Sequence, residues 1–147
     1  MTASIEGSSG NDNLTASNVN TTIDGKDGND TITGGSGDDV IIGGKGADVI
    51  NAGDGNNSIY GFLKNDQYGS YATESWDGQQ DSITAGEGND RILSIGNNTI
   101  NAGDGDNYIF EGGGGYLSLD FSSNSHNQLG WFPDPIVPET ASGPWYF

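Results

Sequence analysis

The chain has 147 residues, the length of one domain, with 4 Lys and Arg against 21 Asp and Glu, a net charge of -17, 26 glycines and no cysteine. That balance excludes a nucleic-acid reader, which needs a basic patch to follow phosphates. It also excludes disulfides and thiolate sites, and no apolar run is long enough to span a bilayer. With only 31% hydrophobic residues, such a chain stays disordered unless something neutralises its carboxylates and supplies stability.

The segment Met1-Thr2-Ala3-Ser4-Ile5-Glu6 has neither a basic nor an apolar region, so it is not expected to be a secretory signal peptide. From Gly7 the chain falls into blocks of nine: GSSGNDNLT (7–15), ASNVNTTID (16–24), GKDGNDTIT (25–33), GGSGDDVII (34–42), GGKGADVIN (43–51) and AGDGNNSIY (52–60). The eighth position reads Leu14, Ile23, Ile32, Ile41, Ile50, Ile59, and the sixth reads Asp12, Thr21, Asp30, Asp39, Asp48, Asn57. Residues 61–75 break the period. It resumes as WDGQQDSIT (76–84), AGEGNDRIL (85–93), a shortened SIGNNTIN (94–101) and AGDGDNYIF (102–110). The aliphatics there are Ile83, Ile92, Ile100 and Ile109, with Asp81, Asp90, Asn98 and Asn107 at the sixth position. A flexible acidic linker would not hold ten aliphatics in phase.

These blocks resemble the G-G-x-G-x-D-x-U-x nonapeptide of RTX (repeats-in-toxin) proteins. Block 34–42 matches that pattern at every fixed position, as does block 43–51; block 16–24 departs from it, as do the asparagines at 57, 98 and 107. The resemblance implies an all-β fold, a right-handed parallel β-roll of about five 18-residue coils, and ions of calcium between the turns of consecutive coils. On that reading the whole chain, 1–147, is a single domain: repeats 7–60 and 76–110, an aromatic insertion loop 61–75, and a C-terminal cap and tail 111–147.

Residue chemistry fits. In Thr31-Ile32-Thr33 alternation sends the aliphatic inward and its neighbours outward. One coil buries almost nothing, so stability comes by stacking. Glycine lets the turn bend and the backbone approach closely, and Asp supplies a hard oxygen of the kind calcium takes six to eight of. If the insertion preserves the coil phase, one edge carries Asp12, Asp30, Asp48, Asp81 and Asn98, and the other Thr21, Asp39, Asn57, Asp90 and Asn107. The expected ligands are therefore Asp12, Asp30, Asp39, Asp48, Asp81, Asp90, Asn57, Asn98 and Asn107. The strongest sites are expected at Asp12/Asp30, Asp30/Asp48 and Asp48/Asp81, because affinity follows ligand charge. Asn98 and Asn107 have a competing role, bridging turns without metal. The acids at the third position, Asp27, Asp54, Glu87 and Asp104, read as solvated charge.

The outward strand positions divide by face. One is small and polar; the other carries Val40/Ile42, Ser58/Tyr60, Arg91/Leu93 and Tyr108/Phe110, an apolar strip that something should cover. All aromatics lie at or after Tyr60. Tyr116 to Phe121 reads as a capping strand. The proline-interrupted tail beyond it is expected to fold over the apolar strip with Trp131 and Phe132 as anchors, or else to dock on another molecule. The single His126 has no triad partners in view, and no catalytic motif occurs, so no enzyme activity is expected. The expectation is a calcium-binding structural or surface protein, self-assembling into a filament or layer, or alternatively an accessory module that binds a neutral glycan or mediates adhesion. The resemblance implies an extracellular or cell-surface location reached by type I secretion.

Overall fold

Strand formation follows the block. The turn residues end at the sixth position, and the next three, rich in Ile, Val and Thr, suit a pleated surface. The computed structural model describes residues 2–61, 80–96, 98–112, 118–120 and 128–131. Its strands are β1 (Ala3–Glu6), β2 (Asn13–Thr15), β3 (Thr21–Asp24), β4 (Thr31–Thr33), β5 (Val40–Ile42), β6 (Val49–Asn51), β7 (Ser58–Tyr60), β8 (Ser82–Thr84), β9 (Arg91–Ile95), β10 (Thr99–Asn101), β11 (Tyr108–Gly112), β12 (Ser118–Asp120) and β13 (Gln128–Trp131). No helix occurs among the described residues.

Odd-numbered strands form a 7-stranded sheet in the order β1-β3-β5-β7-β9-β11-β13, and even-numbered strands a 6-stranded sheet from β2 to β12. Neighbours pair in parallel with the aliphatics in register: Ile23 beside Ile41, Ile41 beside Ile59, and, in the other sheet, Leu14 beside Ile32 and Ile32 beside Ile50. The result is the expected parallel β-roll. The insertion keeps the phase, since Ile50 pairs with Ile83 and Ile59 with Ile92 across it. Residues 62–79, which take in most of the insertion and the start of block 76–84, lie outside the described ones, as does His126.

The stack extends further at both ends than the nonapeptides do. β1 precedes the first block and pairs Ile5 with Ile23. The expected capping strand is present as β12, with Leu119 beside Ile100. The expected irregular tail begins instead with β13, which places Leu129 beside Ile109 and Trp131 beside Glu111. The backbone of Trp131 thus belongs to an edge strand of the odd-numbered sheet. Backbone pairing of β11 offers more than a loop laid over side chains would, because an open strand edge has unmet N–H and C=O groups. Phe132 and the rest of the tail lie outside the described residues.

Between the sheets runs a column of isoleucines. Ile23, Ile32, Ile41, Ile59, Ile92, Ile100 and Ile109 are 0% exposed, and Ala52, Ala85 and Ala102 pack against them. Each buried Ile contributes roughly 1.5–3 kcal/mol, and the column holds only one such residue per half-coil, so the core is thin. The outer faces differ as expected. On the even-numbered sheet Thr31, Val49, Ser82, Thr84 and Thr99 are exposed. On the odd-numbered sheet Val40, Ile42, Tyr60 and Phe110 are half-buried, and Leu93 is buried.

Two substitutions separate core from turn. Ile50→Ala opens a cavity in the column and should cost about 2–5 kcal/mol. Gly44 has φ +112, and a Cβ there would collide with the Lys26 carbonyl of the preceding coil. Gly44→Ala should therefore destabilise by at least about 1–3 kcal/mol although it adds one methyl group at a turn. Lys26, the one described non-glycine residue with positive φ (77), should by contrast accept Gly with little loss, since its pair with Glu6 is exposed. Urea unfolding of the three folded variants checks the ranking.

Candidate metal centres

The residues between strands form the turns, which bond to the turn of the coil before, as the Lys45 N–H does to the Lys26 carbonyl (2.7 Å) and the Asp54 N–H to that of Gly35 (2.9 Å). At the sixth position the side chain turns inward. Asp30, Asp39, Asp48, Asp81, Asp90, Asn57, Asn98, Asn107 and Thr21 are all buried, and Asp12, at the first coil, is half-buried. They form the two columns that the period predicts, one along each edge of the roll.

What brings the carboxylates in is a hydrogen bond to the backbone. The Asp12 N–H donates to Asp30 Oδ1 (2.8 Å), the Asp30 N–H to Asp48 Oδ1 (2.9 Å), the Asp48 N–H to Asp81 Oδ1 (3.0 Å) and the Asp81 N–H to Asn98 Oδ1 (2.8 Å). The second edge repeats this from Thr21 to Asp39, Asn57, Asp90 and Asn107. Each side chain thus ties its own coil to the preceding one, and one oxygen of each carboxylate is committed. The carbonyl of the same residue accepts from the next coil, as Asp30 O does from the Val49 N–H (2.8 Å).

A second ladder runs the opposite way and was not read from the sequence. At the fifth position the Asn29 N–H donates to Asn11 Oδ1 (2.9 Å), the Ala47 N–H to Asn29 Oδ1 (3.0 Å), the Asn56 N–H to Asp38 Oδ1 (2.9 Å) and the Asn89 N–H to Asn56 Oδ1 (2.8 Å). Here the earlier coil supplies the acceptor and the later coil the donor. The signal was present: Asn11, Asn20, Asn29, Asp38, Asn56, Asn89 and Asp106 share the position, and Asx side chains favour local bonding to backbone N–H groups.

The second carboxylate oxygen is the chemically open one. Oδ2 of Asp30, Asp39 and Asp90 is buried with no hydrogen-bond partner. An ionised oxygen in that state is costly unless a cation sits against it. Burial accordingly pushes the carboxyls of Asp30 and Asp39 above the usual range, and that of Asp90 up to about 6, against the pull of the backbone bonds they accept. The cradle is shaped by glycine: a Cβ at Gly25, Gly34 or Gly43 would lie 2.5, 2.6 or 2.5 Å from Oδ2 of Asp30, Asp39 or Asp48. Gly61, at the start of the insertion, has the same relation to Asp81 Oδ2 at 2.7 Å. A glycine-walled pocket with a carboxylate oxygen and turn carbonyls is an all-oxygen, hard, anionic donor set, which suits calcium. The described residues hold no group of three acidic or histidine side chains that could bind a metal, so carbonyl oxygens must complete any site.

Asp12 departs from the pattern. Its Oδ2 accepts from the Ser8 N–H (2.6 Å) and the Ser8 hydroxyl (2.9 Å), which hold its pKa below the ordinary value. The third-position acids are peripheral. Asp54, Glu87 and Asp104 are exposed, and Asp27 pairs with Lys45 at 3.3 Å.

Neither a curated protein sequence nor a solved structure matches the chain. The family model of the RTX calcium-binding nonapeptide repeat matches it in four copies, at residues 15–50, 42–67, 77–94 and 94–115. The matched stretches make up more than half of the chain and contain the nine strands β3 to β11, and the protein is a member of the RTX calcium-binding repeat family.

Proposed function

We propose that this protein is a secreted, non-catalytic structural protein of the cell surface or extracellular space, whose folding is triggered by calcium. The observation that carries the reading is the set of buried, unpartnered Oδ2 atoms at Asp30, Asp39 and Asp90, found in turns along both edges of the roll. In the absence of an ion these carboxylates oppose the thin core. With an ion bound to the fold and not to the open chain, binding free energy becomes folding free energy.

Asp30, Asp39, Asp48, Asp81 and Asp90 are the residues that would hold calcium, with Asp12 a weaker member because Ser8 already occupies its second oxygen. The edge bearing Asp30, Asp48 and Asp81 stacks carboxylates in succession, whereas on the other edge Asn57 separates Asp39 from Asp90. The first edge therefore takes the tighter ions. End-to-end assembly into a filament or layer is part of the reading: the outer edges of β1, β2, β12 and β13 pair with no other described strand, and open edges recruit strands. The alternative partner, a neutral glycan, would stack on Tyr108, which is 39% exposed on the odd-numbered sheet. Export by the type I route follows family habit.

Circular dichroism during calcium titration tests the trigger. The chelated chain should be largely disordered, and millimolar calcium should give a β spectrum, while magnesium should not, because it demands tighter octahedral geometry. A chelated protein with a full β spectrum sinks the reading.

The ligand order is tested by the same titration. Asp30→Ala and Asp48→Ala should raise the calcium midpoint more than Asp39→Ala or Asp90→Ala. Asp30→Asn keeps an acceptor for the Asp12 N–H, so its remaining shift isolates the ion from the hydrogen bond. Equal midpoints for all four alanine variants would contradict the order.

Protons should compete with calcium. Burial raises the pKa of Asp90 from its ordinary 3.8 to about 6 in the fold, so folding takes up a proton between those values. The metal-free fold is then favoured as pH falls through 6, with the effect complete below the unfolded pKa, and disfavoured as pH rises. Lowering the pH from 7.5 to about 5 should increase residual β signal in chelator and raise the calcium midpoint. Asp90→Asn should flatten both trends.

A further inference from the structure

The three asparagines in the sixth-position columns stand where the family pattern has Asp. Their orientation is set by the hydrogen-bond network. Asn57 Oδ1 accepts the Asp39 N–H at 2.9 Å, Asn98 Oδ1 the Asp81 N–H at 2.8 Å, and Asn107 Oδ1 the Asp90 N–H at 2.8 Å. A flipped amide would put an NH2 against each of these N–H donors, so the flip is forbidden. The NH2 group must then occupy the place that Oδ2 has in an aspartate turn.

There it does what a cation would do. Asn57 Nδ2 donates to the carbonyls of Gly53 (3.4 Å) and Gly55 (3.2 Å). Asn107 Nδ2 donates to the Ala102 carbonyl (3.1 Å), and Asn98 Nδ2 to the Ser94 hydroxyl. The oxygens of the turn thus face a hydrogen-bond donor from within the chain. An NH2 group has no lone pair to offer a metal, and it points its protons at the oxygens an ion would need. The first position of the block does not separate the two kinds of turn: Gly25, Gly34 and Gly43 precede Asp30, Asp39 and Asp48, but Ala85 precedes Asp90 as Ala52, Ser94 and Ala102 precede the asparagines.

We propose that the turns of Asn57, Asn98 and Asn107 are metal-free staples, in which the carboxamide replaces both the aspartate and its calcium ion. The inference rests on the calcium reading of the aspartate turns and removes these three residues from the expected ligand set. On one edge sites and staples alternate, Asn57 lying between Asp39 and Asp90 and Asn107 following Asp90; on the other the aspartates run in succession and Asn98 follows the last. The C-terminal coils are therefore held without metal.

Converting a staple to a site tests this. Asn57→Asp keeps the acceptor for the Asp39 N–H and replaces the donor with an anionic oxygen facing Gly53 and Gly55 carbonyls. Equilibrium dialysis of the full chain against calcium, read by elemental analysis, should show about one more ion per chain in Asn57→Asp than in the wild type, with the same for Asn107→Asp. In chelator each variant should retain less β signal than the wild type, since the donor is lost and a charge gained. An unchanged ion count in both variants, or failure of both to fold at saturating calcium, overturns the staple inference. A wild-type chain that binds no calcium overturns the calcium reading itself, a separately visible outcome.

Discussion

The hydrogen bond from each sixth-position N–H to the side chain of the next coil is the constraint on which the rest depends. It holds a carboxylate inside the turn, where none would go of its own accord. Once Oδ1 of Asp30 is fixed on the Asp12 N–H, Oδ2 has no freedom to reach water. The need for a cation is a consequence of a bond that stacks the coils. On the proposed calcium reading, stacking and ion binding are coupled at the aspartate turns, where the thin isoleucine column is not left to carry the fold alone.

The two side-chain ladders give the stack its definition. Parallel strands of three residues have few backbone bonds, and a thin column of near-identical isoleucines could slide by one coil without changing its packing. The ladders at positions five and six run in opposite senses, so a coil is gripped by its predecessor's Asx and grips that predecessor with its own. Displacement by a single residue would break both. The same displacement would turn the isoleucines outward, so polar turns and core specify the register together.

Much of this was legible in the sequence, because a nine-residue period acts on every link at once. Ile50 and Ile83 are 33 positions apart, yet both sit at the eighth position of their blocks, and that was enough to place them side by side. The columns of Asp30, Asp48 and Asp81 follow from the same count. What the period could not convey was anything outside it. β1 has only Ile5 to announce it, and β13 contains Leu129 in a segment whose glycine and aromatics gave no repeat. Both strands form because an adjacent strand edge offers them partners, which is tertiary context and not local preference. The insertion conceals its role differently: Gly61 acts as the first-position glycine for Asp81, while the residue that the count assigns to that position is Trp76.

The asparagines show a finer limit. Asp and Asn at the sixth position are nearly the same shape and make the same bond to the preceding N–H. A reading by shape and position counts both as ligands. The difference lies in the other terminal atom, oxygen in one and NH2 in the other, and in what each asks of the turn carbonyls around it. An oxygen among carbonyls requires a cation; a donor among carbonyls excludes one. On the proposed reading the same geometry gives a turn that waits for calcium and a turn already closed, and the choice between them rests on one atom per turn. On the proposed reading, metal demand along the roll is set position by position: the turns of Asp30, Asp39, Asp48, Asp81 and Asp90 call for the ion, while those of Asn57, Asn98 and Asn107 are closed by their own side chains.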